Sequence, residues 1–147
     1  MRQLAGMAND RAPSTEFHII HATKPEDFKR CMDVRLKVFV DEQGYDPKIE
    51  QDEYDHTSAH FLLVHTPTSE AVGNVRFYPP SNKLGRLAVL PAFRSYKLGA
   101  KLVDHVTLYA IEQARQRGEK EAVVMCHSQA HAIGFYEKVF LTFLGSN

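Results

Sequence analysis

The stretch 85–102, GRLAVLPAFRSYKLGAKL, joins an apolar strand ending at Leu90 to a long helix beginning near Leu98. A helix start carries unpaired N–H groups and the positive end of the peptide dipole, which together can hold an anion such as a phosphate. Arg94, Lys97 and Lys101 put cations beside that end, and from Arg94 to Lys120 six bases face three acids on a chain of formal net charge zero. The pattern fits a phosphate-binding turn or, equally, a tight strand-to-helix turn with a cationic rim. Neither standard nucleotide loop is present. There is no Gly-x-x-x-x-Gly-Lys-Ser/Thr, and Gly99 stands where a dinucleotide fingerprint would need three glycines.

Other reactive groups are sparse. Cys31 and Cys126 lie in apolar segments and are expected to be buried, reduced thiols, too few for a disulfide framework or a structural zinc site. The eight histidines include no His-Glu-x-x-His pair, so no metal site is expected. From Asp41 to Asp55 seven acids face one base, Lys48, a composition expected of a solvated loop with a short helix.

The elements that must position these groups follow from pattern. Residues 1–14 are polar and aperiodic and read as a flexible arm, leaving 15–147 as one domain. A strand is expected at 16–22. A helix follows with Thr23 as N-cap and Glu26 closing a capping box, its inner face formed by Phe28, Met32, Leu36 and Phe39 and its end near Gly44. Strands at 60–65 and 71–78 form a hairpin about Thr66-Pro67-Thr68-Ser69, and another strand at 84–90 is closed by Pro91. A helix at 98–117 turns Leu98, Leu102, Val106, Tyr109 and Ala110 inward and stops at Gly118. A strand at 122–126, a helix from Ser128 to about Lys138 and a strand at 141–144 complete the order β-α-β-β-β-α-β-α-β, an α/β fold with a mixed sheet. Balanced charge argues against a nucleic-acid partner, and no apolar run is long enough to span a bilayer. The expected location is the cytoplasm, with the nucleus as the other compartment open to such a chain.

At three places the sequence resembles the GNAT superfamily of acyl-CoA-dependent N-acyltransferases. Arg94-Ser95-Tyr96-Lys97-Leu98-Gly99, after the strand Arg86-Leu87-Ala88-Val89-Leu90, is similar to the family's Arg/Gln-x-x-Gly-x-Gly/Ala motif. His127-Ser128-Gln129-Ala130-His131 through Gly134-Phe135-Tyr136-Glu137-Lys138 resembles its C-terminal helix. Phe39-Val40-Asp41-Glu42-Gln43 is similar to a subgroup in which Phe-Val-x-Glu-Gln closes the first helix. Two features depart from the pattern. Lys97 stands at the usual first Gly, where an ordinary backbone conformation would still let it donate its N–H. Six residues follow Leu141, where family members have a further hairpin, which leads to the expectation of an incomplete C-terminal hairpin and a second copy paired at that edge.

The resemblance implies a single-domain GNAT-like mixed sheet and transfer of an acetyl group from acetyl-CoA to a primary amine of a small molecule or a protein. Backbone groups of Leu87, Ala88 and Val89 would pair with the cofactor, the Val89 N–H polarising the thioester carbonyl. The N–H groups of Arg94, Ser95, Tyr96, Lys97, Leu98, Gly99 and Ala100 would hold its diphosphate, with Gln129 adding a hydrogen bond. Tyr136 would be the general acid, with Glu42 or His127 the base. The acidic stretch, bordering the acceptor site in the family, suggests a cationic or amine-bearing acceptor. The alternative is a weak or inactive acyl-CoA binding module acting as a subunit.

Overall fold

The computed structural model describes residues 16–126 and 138–142. Six strands form one sheet in chain order: β1 (Phe17–His21), β2 (Ala59–His65), β3 (Glu70–Tyr78), β4 (Lys83–Val89), β5 (Glu121–Cys126) and β6 (Lys138–Thr142). Every neighbouring pair is antiparallel except β4–β5, which is parallel. The crossover between those two is made by the helix α3 (Leu98–Gln116), as a parallel connection requires.

Strand β2 is largely apolar on both faces because both are covered. Phe61, Leu63, Val75 and Phe77 pack with Leu98, Leu102, Val106 and Ala110 of α3. The intervening Leu62 and Val64 pack with Cys31 of helix α1 (Pro25–Arg35) on the opposite face. A Cβ at Gly73 would stand 3.1 Å from the Leu63 side chain and 3.2 Å from the Ala88 carbonyl, a tight contact that glycine avoids as β3 passes between its neighbours.

Several expectations are corrected. Thr23 and Glu26 form no capping box: the N-cap is Lys24, without a side-chain cap, and Pro25 starts the helix. The buried face of α1 is Cys31, Val34 and Arg35, not Phe28, Met32 and Leu36, which are half-buried. The pattern misled because a charged residue, Arg35, occupies the innermost position. Beyond it the chain continues as a π-helical segment, Leu36–Glu42, whose wider turns bury Val38 and Phe39 together before Gly44 ends it at φ +82°. The α3 boundaries and the stop at Gly118 are as expected, with Ala114 on the inner face and Tyr109 at its margin. The last strand begins at Lys138, earlier than expected and inside the stretch read as helix. The rest of that helix and the N-terminal arm lie outside the described residues.

Both cysteines are free and buried. Burial pushes the Cys31 thiol up to about 12, despite the Arg35 cation, so it stays protonated.

Candidate active site

The site is built around β4. Its Leu90 end is tied to β3 by the Leu90 N–H, which donates to the Val72 carbonyl at 2.9 Å. Because successive peptide groups of a strand point to opposite edges, the Val89 N–H and carbonyl face the other edge, toward β5. Among the described residues β4 pairs with β5 only through Lys83 and Leu84, opposite Met125 and Cys126. The rest of that edge therefore carries backbone groups with no described strand beside them.

After β4 the chain makes a 3₁₀ turn, Pro91–Tyr96, and enters α3 through Lys97. Lys97 has φ +60° and ψ 32°, the left-handed region. The ordinary conformation on which N–H donation by Lys97 was conditioned is thus not adopted: a lysine holds a backbone position that favours glycine. The side chain of the N-cap, Lys97, accepts no hydrogen bond from α3, so among the described residues the first-turn N–H groups of Leu98, Gly99 and Ala100 are left without a side-chain cap. A Cβ at Gly99 would meet nothing within 4 Å, which leaves open space against the helix start. The adjoining shallow groove, about 580 Å³, is lined by Tyr96, Lys97, Ala100 and Lys101 among others. An anionic group fits this turn by charge, by unpaired donors and by room.

Arg94 and Glu42, from distant parts of the sequence, meet here. Arg94 Nη1 donates to Glu42 Oε2 at 2.7 Å, its Nη2 donates to Oε1, and its Nε donates to the Val89 carbonyl at 2.8 Å. The pair is partly exposed, 41% for Arg94 and 35% for Glu42. The hydrogen bonds that Arg94 donates to Glu42 raise the Arg94 pKa further. One guanidinium thus fastens the end of the π-helical segment to the end of β4. The turn brings the backbones of Leu87–Ala100 into one continuous path; His127, Gln129 and Tyr136 lie outside the described residues.

A second charged cluster lies at the opposite end of β4. Asp55 accepts from Arg35 Nη1 at 3.0 Å, from Arg76 Nη1 at 2.9 Å and from the Asp52 N–H at 3.0 Å. Asp52 accepts in turn from Arg76 at 2.7 Å and from Arg86 at 3.1 Å. Burial pushes the Asp55 carboxyl up, but the hydrogen bonds from Arg35 and Arg76 outweigh it and hold the group below the ordinary aspartate range. His60, buried against Phe28, has Nε2 at 2.9 Å from the Asp55 carbonyl and is therefore the N–H donor there; desolvation by burial lowers its pKa below the ordinary histidine value.

This network corrects the view of the acidic stretch as a solvated loop: two of its acids turn inward onto three arginines. The clue was available. Arg76 and Arg86 interrupt otherwise apolar strands, and a charge inside such a strand needs a partner. The partner's identity was not available from sequence. Arg86 itself sits at φ +52° in a β-bulge, where two residues of β4, Arg86 and Leu87, oppose the single Val75 of β3; the fully buried Asn74 pins the bulge through Nδ2 to the Arg86 carbonyl at 2.9 Å.

Comparison with known proteins accords with this architecture. Residues 23–140 match the family model described as an acetyltransferase (GNAT) domain. A Bacillus subtilis (strain 168) protein named as a candidate acetyltransferase is 31% identical over 120 residues, covering 80% of this chain and 78% of the relative. Among solved structures, Escherichia coli ElaA superposes with TM-score 0.62 at 23% identity, covering 82% of each chain. A Brucella melitensis GNAT family acetyltransferase, crystallised with acetyl-CoA, superposes with TM-score 0.55 at 18% identity, covering 87% of this chain and 88% of that one. A single family model runs from the first helix into the last strand, and the solved relatives share the fold on which the turn is built: the chain belongs to the GNAT acetyltransferase family.

Proposed function

We propose that this protein transfers an acetyl group from acetyl-CoA to a primary amine by direct attack, with no acyl-enzyme. The observation that carries the reading is the start of α3, which has no side-chain cap, opens on empty space at Gly99 and continues the edge of β4 that has no described strand beside it. Acetyl-CoA is also the molecule bound by the Brucella melitensis relative.

Bound acetyl-CoA supplies an acetyl group activated as a thioester. The N–H groups from Arg94 to Ala100 hold a diphosphate, assisted by the Lys97 and Lys101 cations and by Gln129. The edge of β4 at Leu87 and Val89 aligns an extended chain beside it, and the Val89 N–H donates to a carbonyl oxygen as negative charge develops there. Nitrogen attack forms the C–N bond, the C–S bond breaks, and the Tyr136 phenol returns a proton to the departing sulfur. The amine's proton is assigned to His127, which directly follows Cys126 on β5. Glu42 is assigned a different part: both its oxygens are engaged by Arg94, so it positions the Val89 carbonyl and with it the neighbouring N–H.

Titration calorimetry with acetyl-CoA tests the site. Gly99→Val is expected to weaken binding by about tenfold or more, since the new side chain fills the open space, while the fold survives; equal affinity for both proteins would place the cofactor elsewhere. Tyr136→Phe is expected to lower kcat by roughly 10²–10⁴-fold with acetyl-CoA affinity unchanged. A kinetically competent acetyl adduct on Cys126, seen by mass spectrometry, would overturn direct transfer.

A further inference from the structure

Asn74 is a fully buried amide on β3. Its Nδ2 donates to the Arg86 carbonyl at 2.9 Å, and its Oδ1 has no partner among the described residues. A buried acceptor left unpaired costs at least as much as one neutral hydrogen bond returns, so this amide is a poor way to stabilise a strand. We propose that Asn74 is instead a positioning residue for the transfer: by holding the bulge at Arg86, it turns the Val89 N–H toward the cofactor edge of β4. The proposal rests on the transferase reading above and adds the residue that sets its carbonyl-polarising donor.

Parity carries the argument. On the Lys83 side of the bulge, Tyr78 pairs with Lys83 and Arg76 with Gly85; on the other side, Asn74 pairs with Ala88 and Gly73 with Val89. The first register, continued without the extra residue, would set Asn74 opposite Leu87 and Val72 opposite Val89. The N–H groups of a strand alternate between its two edges, so a slip of one residue exchanges every donor between them. In the bulge-free register the Val89 N–H would face β3, and the Val72 carbonyl would consume it. With the bulge, the Leu90 N–H takes that carbonyl at 2.9 Å and the Val89 N–H faces the other way. The Val89 carbonyl faces that way too, where Arg94 Nε donates to it at 2.8 Å. One extra residue thus decides which amide β4 presents to a thioester.

The bulge needs holding because it is strained. Arg86 occupies the left-handed region at φ +52°, which favours glycine. Packing opposes movement of the strand as a whole, since Leu87 and Val89 lie against the α3 core and Ala88 against Val34, Val38 and Phe39. The Asn74 bond acts at the joint itself, on the carbonyl of the strained residue. Without that bond the extra residue is free to migrate along β4. Each conformer with the bulge beyond Val89 returns that N–H to Val72.

The test compares the wild-type chain with Asn74→Leu, which keeps the volume and removes the amide; Asn74→Ser serves if leucine prevents folding. In the free protein, hydrogen exchange at the Leu90 amide, followed by NMR, should quicken by about tenfold or more as protection passes to Val89. With acetyl-CoA isotope-labelled at the acetyl carbonyl, the bound resonance should lose the downfield displacement that a hydrogen bond from Val89 produces. The kcat should fall by about tenfold or more, with acetyl-CoA affinity changed by less than about threefold, because the diphosphate turn is untouched. Rescue separates positioning from core filling. Arg86→Gly accepts a positive φ without strain, so in that background Asn74→Leu should lower kcat by less than about threefold. An equal loss in both backgrounds, or Leu90 exchange, carbonyl resonance and kcat unmoved by Asn74→Leu, overturns the proposal. Leu90 exchange that depends on Asn74, with no thiol released from any amine, would leave the hold on the bulge standing and overturn the transferase reading instead.

Discussion

Two arginine–carboxylate clusters flank β4, one at each end, and they are built oppositely. The Arg35–Asp55–Arg76 cluster is sealed: the Arg35 side chain is 0% exposed and that of Asp55 2%. The Arg94–Glu42 pair is a third or more exposed. Desolvation makes the first costly to assemble and costlier to break by halves, so it acts as an anchor between α1, the loop before β2, and β3. Solvent screening makes the second weak in free energy. Its consequence is geometric instead, because Arg94 also holds the Val89 carbonyl at the cofactor edge. The same pair of functional groups therefore fixes the fold at one end of the strand and tunes the site at the other.

Breaking the sealed cluster should have the larger effect. Asp55→Ala leaves Arg35 and Arg76 without their shared partner in a buried site and should cost about 3–5 kcal/mol in urea denaturation. The same carboxyl sets an acid limit. Its folded pKa lies below the unfolded value, so the unfolded state binds the extra proton, and the stabilisation is present above about pH 4 and lost as pH falls below it. Asp55→Asn should flatten that part of the stability profile; an unchanged acid limb would show that Asp55 is not the group responsible.

The phosphate turn offers a smaller and opposite effect. Lys97→Gly relieves a left-handed conformation and should raise stability by about 1 kcal/mol, whereas Lys97→Ala, keeping a Cβ, should not. If alanine stabilises as much as glycine, removal of positive charge near the helix start, and not the backbone, is the cause.

The exposed pair should show the least in stability and the most in discrimination. Glu42→Gln should change unfolding free energy by less than about 1 kcal/mol while lowering kcat. As a positioning residue, Glu42 should leave the limbs of the kcat/KM pH profile in place. Loss of the acidic limb would instead make it the base, and would mean that Arg94 releases it during the reaction.

What was legible in the sequence was whatever local chemistry decides. Pro91, the apolar run before it and the stop at Gly118 mark out β4, the turn and α3 with errors of a residue, because proline, strand apolarity and a left-handed helix end act on neighbours in the chain. The turn's capacity for an anion follows from the same short stretch. Tertiary structure alone decided the rest. Arg35 is innermost on α1 because Asp55 and Arg76 arrive there from 20 residues and more away, and no helical period encodes a partner of that kind. For the same reason Glu42, a plausible base by motif, turned out to be held by Arg94, 52 residues on. Lys97 adopts a glycine's conformation because the strand before it and the helix after it must meet at that angle. Propensity expresses what a residue prefers by itself; packing of the whole sheet determines what it is made to accept.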